Sequence, residues 1–127
     1  MSPGQKIATF MLVLMIPMLV LLSRSENKLG EVETIEYSID STQEVVHFSW
    51  DTVQNADGYQ VYVCLAERKQ DYVLAGEVER AQADIKGFII GKNYSVKVRP
   101  FKEVDGQKNY GQYSNAVTFS YGQYDLV

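Results

Sequence analysis

The side chains able to do acid–base, nucleophilic or metal chemistry are few in this chain. His47 is the only histidine and Cys64 the only cysteine. The two are predicted to lie on different sheets, so they cannot converge on zinc, which needs three or four ligands. A catalytic histidine would need a serine or cysteine nucleophile beside it, and none is expected next to His47. His47 is therefore predicted to be a surface residue that is either hydrogen-bonded or solvated.

Other chemical motifs also have simpler structural explanations. Glu77 and Glu79 share one face of a predicted strand, but no pocket or water-ordering partner accompanies this carboxylate pair. Asn93-Tyr94-Ser95 fits the glycosylation sequon, although its tyrosine is expected to be structural. The sequence has no glycine-rich phosphate loop between a strand and a helix. We therefore expect a protein that is not an enzyme and has no catalytic residue, metal site or cofactor.

Length and composition indicate one globular domain and a short additional segment. The chain has 127 residues, of which 46% are apolar and 22% charged, with a net charge of −4. This acidic balance argues against nucleic-acid binding, which needs a basic surface. Because a single cysteine cannot form an internal disulfide, the apolar core alone must stabilise the domain.

Three runs of alternating side chains predict strands with one buried and one solvated face. They are residues 46–50, 59–65 and 94–99, anchored by Trp50, Tyr59 and Tyr94. Turn signals separate them, among them Asp57-Gly58 and Asp105-Gly106. Short strands separated in this way are typical of an antiparallel β-sandwich.

The alternation assigns each side chain to the core or to the outer surface. The residues predicted to point inward are Val46, Phe48, Trp50, Tyr59, Val61, Val63, Leu65, Tyr94, Val96, Val98, Val117, Phe119 and Tyr121. The residues predicted to point outward are Val45, His47, Ser49, Gln60, Tyr62, Cys64, Ser95, Lys97 and Arg99. Five tyrosines are expected to be partly exposed, namely Tyr62, Tyr72, Tyr110, Tyr113 and Tyr124.

Residues 32–121 resemble a fibronectin type III domain, of the kind found in secreted and cell-surface proteins of Gram-positive, clostridia-like bacteria. The resemblance rests on Phe48-Ser49-Trp50, Ala56-Asp57-Gly58-Tyr59-Gln60-Val61-Tyr62, Ile85-Lys86-Gly87-Phe88, residues 91–99 and residues 110–115. It implies an all-β, immunoglobulin-like sandwich of seven antiparallel strands, with the first strand at 32–39 and the seventh at 115–121. It also implies that Tyr94 is the corner tyrosine, whose hydroxyl ties the preceding turn to the strand.

Residues 7–22 form an apolar run without charge, which predicts a single N-terminal helix. Sixteen residues of helix span about 24 Å, less than the ~30 Å hydrocarbon core of a membrane. The run is also slightly longer than a signal-peptide core, and Ser23-Arg24-Ser25 is a poor cleavage site. We favour an uncleaved membrane anchor over a cleaved signal peptide at residues 1–25. Either alternative places the domain outside the cytoplasm.

The predicted organisation is an anchor or signal peptide at 1–25, a linker at 26–31, the fibronectin type III domain at 32–121 and a tail at 122–127. Such domains serve mostly as spacers or binding modules. We expect a membrane-tethered or secreted module that binds a protein partner or acts as an accessory subunit at the cell surface. Tyr62, Cys64, Lys97 and Arg99 form the candidate interaction face. The alternative is a carbohydrate- or cell-wall-binding module, which would align aromatic rings in one plane.

The long apolar run and the poor cleavage site predict that residues 1–25 stay attached to the mature protein. Intact-mass spectrometry of the native protein should therefore give the mass of a chain that retains this segment. A mature chain that begins at Glu26 would contradict the anchor.

Overall fold

Residues 29–122 form a β-sandwich in the computed structural model, which describes this part of the chain. The predicted anchor or signal peptide at 1–25 lies outside the described residues, as does most of the predicted tail. Within residues 29–122 no helix is long and apolar enough to cross a membrane.

Eight strands make up the sandwich. They are β1 (Glu36–Asp40), β2 (Val45–Ser49), β3 (Gly58–Leu65), β4 (Val73–Val78), β5 (Gln82–Lys86), β6 (Asn93–Val104), β7 (Gln107–Tyr110) and β8 (Val117–Ser120). One sheet has three strands in the order β1-β2-β5. The other has five, in the order β4-β3-β6, with β7 and β8 both paired to β6. Every strand pair is antiparallel, which confirms the predicted architecture.

The structure has eight strands where seven were predicted, because Gln107–Tyr110 (β7) is a separate strand that shares one edge of β6 with β8. Phe101 pairs with Tyr110 on β7, whereas Val96 pairs with Val117 on β8. Between these pairings, the Pro100 carbonyl accepts a hydrogen bond from Gly111, but proline has no N–H to offer the same edge. The missing donor explains why the ladder breaks here. The last strand is thus shorter than the predicted 115–121.

The inward-facing side chains of both sheets form one apolar core. It consists of Val32, Ile35, Val46, Phe48, Trp50, Val53, Tyr59, Val61, Val63, Ala83, Tyr94, Val96, Val98, Phe119 and Tyr121. Two buried tyrosines also hold loops in place. The Tyr94 hydroxyl accepts a 2.9 Å hydrogen bond from the backbone amide of Ile89. The Tyr59 hydroxyl accepts a 2.8 Å hydrogen bond from the backbone amide of Val53. Tyr94 therefore makes the contact that the resemblance implied for a corner tyrosine.

Two expectations from the sequence are wrong in this region. The first strand begins at Glu36 rather than Val32, although Val32 and Ile35 are still buried in the core. Val45 is buried rather than exposed, even though it lies outside the core cluster. It is the middle residue of a row with Asp40 and Lys86, so neighbouring strands flank it on both sides.

Replacing Trp50 with alanine should lower the free energy of unfolding by about 3–5 kcal/mol, because the indole is buried and packs edge-to-face on Tyr59 at 5.4 Å. Trp50→Phe should cost less. It keeps an aromatic ring and removes an indole N–H that has no hydrogen-bond partner in the described part of the chain. Denaturant unfolding of both variants measures the difference, and equal losses would contradict this role for the ring.

Candidate interaction face

The strand register brings the four predicted interaction residues to one surface. On the outer face of the five-stranded sheet, Tyr62 of β3 is paired with Lys97 of β6. Two residues further along β3, Cys64 is paired with Ser95 of β6. Two residues before Tyr62, Gln60 is paired with Arg99. Because alternate residues of a strand share a face, Tyr62, Cys64, Lys97 and Arg99 all point away from the core.

The two cations are packed between tyrosine rings on this surface. The Lys97 ammonium lies 4.1 Å from the centre of the Tyr72 ring and 4.0 Å from that of Tyr113. The Arg99 guanidinium lies 3.7 Å from Tyr110, 4.9 Å from Tyr113 and 5.4 Å from Tyr62. These distances are within the range of cation–π attraction. We define the tyrosine–cation face by six residues, which are Tyr62, Tyr72, Lys97, Arg99, Tyr110 and Tyr113.

A hydrogen-bond network fixes the orientation of Arg99. Its Nε donates to Gln60 Oε1 and its Nη2 to the Tyr62 hydroxyl, each at 3.1 Å. Tyr62 in turn donates to the same Gln60 oxygen, and the Gln60 amide donates to Glu77 Oε2 at 2.8 Å. That bond, together with Lys108 at 3.4 Å, lowers the pKa of Glu77. Glu77 is therefore held by Gln60 and Lys108.

Neither Lys97 nor Arg99 forms an ion pair with another residue of the described range 29–122. Within residues 29–122 no carboxylate oxygen lies within 4.0 Å of either cation. Both side chains are only partly exposed. The face therefore presents two positive charges that ring faces and neutral acceptors stabilise.

Cys64 was expected to be accessible, and this expectation is wrong. Its side chain points outward as predicted, but the residue is only 5% exposed. Tyr72 lies beside the thiol and its hydroxyl forms a 2.7 Å hydrogen bond with Ser95 Oγ. Burial raises the pKa of Tyr72, so the phenol stays neutral around physiological pH. The outer layer of tyrosines thus covers Cys64, Ser95 and Gln60, all of which are buried.

His47 on the three-stranded sheet is a partly exposed, hydrogen-bonded residue, but one of its neighbours was not expected. Ser38 lies directly opposite His47, and Asp84 lies opposite it on the other side. His47 Nδ1 and Asp84 Oδ1 are 2.7 Å apart, and the row lines a shallow depression of about 430 Å³. In the described residues, no hydrogen bond joins the imidazole to a serine. The serine that was not expected beside His47 is therefore present, but not positioned as an activated nucleophile.

Other members of the face were only partly predictable. Tyr62, Tyr72, Tyr110 and Tyr113 are at least partly exposed, as expected, while Tyr124 lies outside the described residues. Tyr113 belongs to no strand, so alternation could not assign it to a sheet face. Leu74, which is paired with Tyr62 and 51% exposed, was not singled out from the sequence at all.

Comparison with solved structures identifies the fold as that of a fibronectin type III domain. A Fn3-like protein from Clostridium thermocellum superposes with a TM-score of 0.59 and 14% identity, covering 70% of this chain and 88% of that one. The fibronectin type III domain of the human collagen alpha-1(XX) chain gives 0.55 and 17%, covering 72% and 84%. Part of pectate lyase PelI from Erwinia chrysanthemi gives 0.52 and 20%, covering 67% of this chain and 26% of the lyase.

Comparison by sequence adds no family assignment. No protein-family profile matches the chain. No curated protein matches it either. At the identities above, the structural likeness establishes the fold alone.

Because Tyr72 covers the thiol, a maleimide reagent should label Cys64 at least ~100-fold more slowly in the folded chain than in denaturant, corresponding to an opening free energy of about 3 kcal/mol. Tyr72→Ala should accelerate labelling, whereas Tyr110→Ala, which removes a tyrosine near Arg99, should not. Rapid labelling of the unmodified chain would show that the outer layer does not cover Cys64.

Proposed function

We propose that the protein is a non-enzymatic fibronectin type III-like module that binds a protein partner through the tyrosine–cation face. It acts as a membrane-tethered or secreted accessory subunit at the cell surface. The observation that carries this proposal is the ordered, partly exposed layer of four tyrosines, Lys97 and Arg99 on the outer sheet face.

The composition and rigidity of the face favour protein recognition. Tyrosine and arginine are enriched at the energetically important positions of protein interfaces. Here their rotamers are already held by ring packing and by the Gln60 network. A partner would therefore meet a surface that loses little conformational entropy on binding.

The ring orientations argue against the carbohydrate- or cell-wall-binding alternative. Tyr62 and Tyr113 meet at 83°, close to a perpendicular edge-to-face contact. Phe101 and Tyr110, at the neighbouring end of the same face, meet at 69°. The apolar C–H face of a sugar ring stacks on coplanar aromatic rings, and these pairs do not form such a platform.

The row formed by Ser38, His47 and Asp84 supports no enzymatic alternative. The imidazole and carboxylate side chains are 43% and 67% exposed, so water screens any charge that develops there. Hydrolysis by such a row needs preorganised donors for an oxyanion, but the central strand β2 uses its backbone amides in pairing with β1 and β5. A structural hydrogen bond between His47 and Asp84 accounts for the geometry.

The proposed location outside the cytoplasm rests on the sequence of residues 7–22. This uncharged apolar run suits either an anchor or an export signal, and both would deliver the domain to the outer side of the membrane. The absence of a disulfide places no constraint on this assignment, because the apolar core accounts for the fold.

Affinity isolation of the tagged full chain from solubilised membranes of its native organism tests the proposal. We expect a stoichiometric protein partner whose recovery falls about tenfold or more when Lys97 and Arg99 are both changed to alanine, as for loss of interface anchors. The matched control is the pair Arg80→Ala and Lys86→Ala, which removes the same charge from exposed positions outside the face.

Equal recovery with both double variants would contradict binding through the tyrosine–cation face. Retention of the protein on isolated cell wall, without a protein partner, would instead favour the carbohydrate-binding alternative. Circular dichroism of each variant separates loss of binding from loss of fold.

A further inference from the structure

We propose that the tyrosine–cation face recognises an acidic segment of a different protein, with a carboxylate between Lys97 and Arg99 and an apolar side chain on Leu74. This inference rests on the proposed function and specifies the chemistry of the partner. Three features of the described residues support it, namely the unpaired charges, the exposed leucine in the same row and the net charge of the chain.

The unpaired cations provide a preorganised site for an anion. Lys97 lies between two rings about 4 Å away on either side, which leaves its remaining directions open to an acceptor. Arg99 uses Nε and Nη2 in hydrogen bonds and still has further N–H donors. The nearby carboxylate, Glu77, is engaged by Gln60 and Lys108. An external carboxylate is therefore the complementary group.

The apolar part of the site adjoins these cations. Leu74 of β4, Tyr62 of β3 and Lys97 of β6 are consecutive neighbours in one row across the sheet. Two strand spacings separate Leu74 from Lys97, roughly 10 Å. An extended partner segment can span this distance with a glutamate and an apolar residue two or three positions apart, because the long glutamate side chain extends towards Lys97.

The edge of the sheet at β4 also lacks the usual protection against contact. Val73 and Leu74 are 63% and 51% exposed, and no charge occurs from Val73 to Gly76. Charged residues normally keep such edges apart from other chains. A partner that covers Leu74 would bury this apolar surface next to the cations.

Net charge favours a different protein over a second copy of this chain. Two copies would each carry −4 and repel at long range. An acidic segment on another protein can approach if its remaining surface is neutral or basic. The local charges then determine the orientation of binding.

Two cross-linking reactions on the full chain in native membranes test this inference. A photoreactive benzophenone amino acid at position 74 captures any protein that covers Leu74. A water-soluble carbodiimide joins the Lys97 amine to a carboxylate only when the two are in direct contact. Mass spectrometry then identifies the residue bonded to Lys97.

We expect Lys97 to be bonded to an aspartate or glutamate of the protein that is captured from position 74. Lys97→Arg should preserve photo-capture and abolish the carbodiimide product, because it keeps the charge and removes the amine. Lys97→Glu should reduce photo-capture by about tenfold or more, because an ion pair becomes a like-charge contact. Lys86→Glu is the control on the other sheet.

The remaining outcomes distinguish failure of this inference from failure of the proposed function. Photo-capture without a Lys97 product, and unchanged by Lys97→Glu, overturns the acidic partner but leaves a protein-binding module. Absence of photo-capture from position 74 overturns this inference. The proposed function is then tested only by partner recovery with the double alanine variant at Lys97 and Arg99. A Lys97 product with a carboxylate of a second copy overturns the assignment to a different protein.

Discussion

The packing of Lys97 and Arg99 between tyrosine rings is the interaction on which the outer half of this structure depends. It turns one sheet face, which alternation predicts to be solvated, into a second packed layer. Beneath that layer Cys64, Ser95 and Gln60 are buried. The central strands β3 and β6 are consequently covered on both sides, by the apolar core within and by the tyrosines outside.

This arrangement links stability to recognition. A small domain without a disulfide has little stability in reserve, so each additional packed layer matters. The same contacts that cover the sheet also hold two cations in fixed positions without carboxylate partners within residues 29–122. A surface stabilised in this way is already organised for a partner.

The sequence predicted the inner core because alternation alone determines which side chains face the other sheet. It was sufficient for Trp50, Tyr59 and Tyr94 and for the shared face of Tyr62, Lys97 and Arg99. It was insufficient where covering depends on residues outside the strands, as with Tyr72 over Cys64 and Tyr113 beside Lys97. The position of Ser38 opposite His47 depends on the register between strands, which a local pattern does not specify.

A double-mutant cycle on Lys97 and Tyr113 measures whether the cation and the ring stabilise each other. Lys97→Met, Tyr113→Leu and the double variant, each in the full chain, give a coupling free energy from denaturant unfolding. We expect a favourable coupling free energy of about 0.5–2 kcal/mol, the range for partly desolvated cation–π contacts. A coupling indistinguishable from zero would mean that the cation and the ring do not interact, and would contradict the proposed organisation of this face.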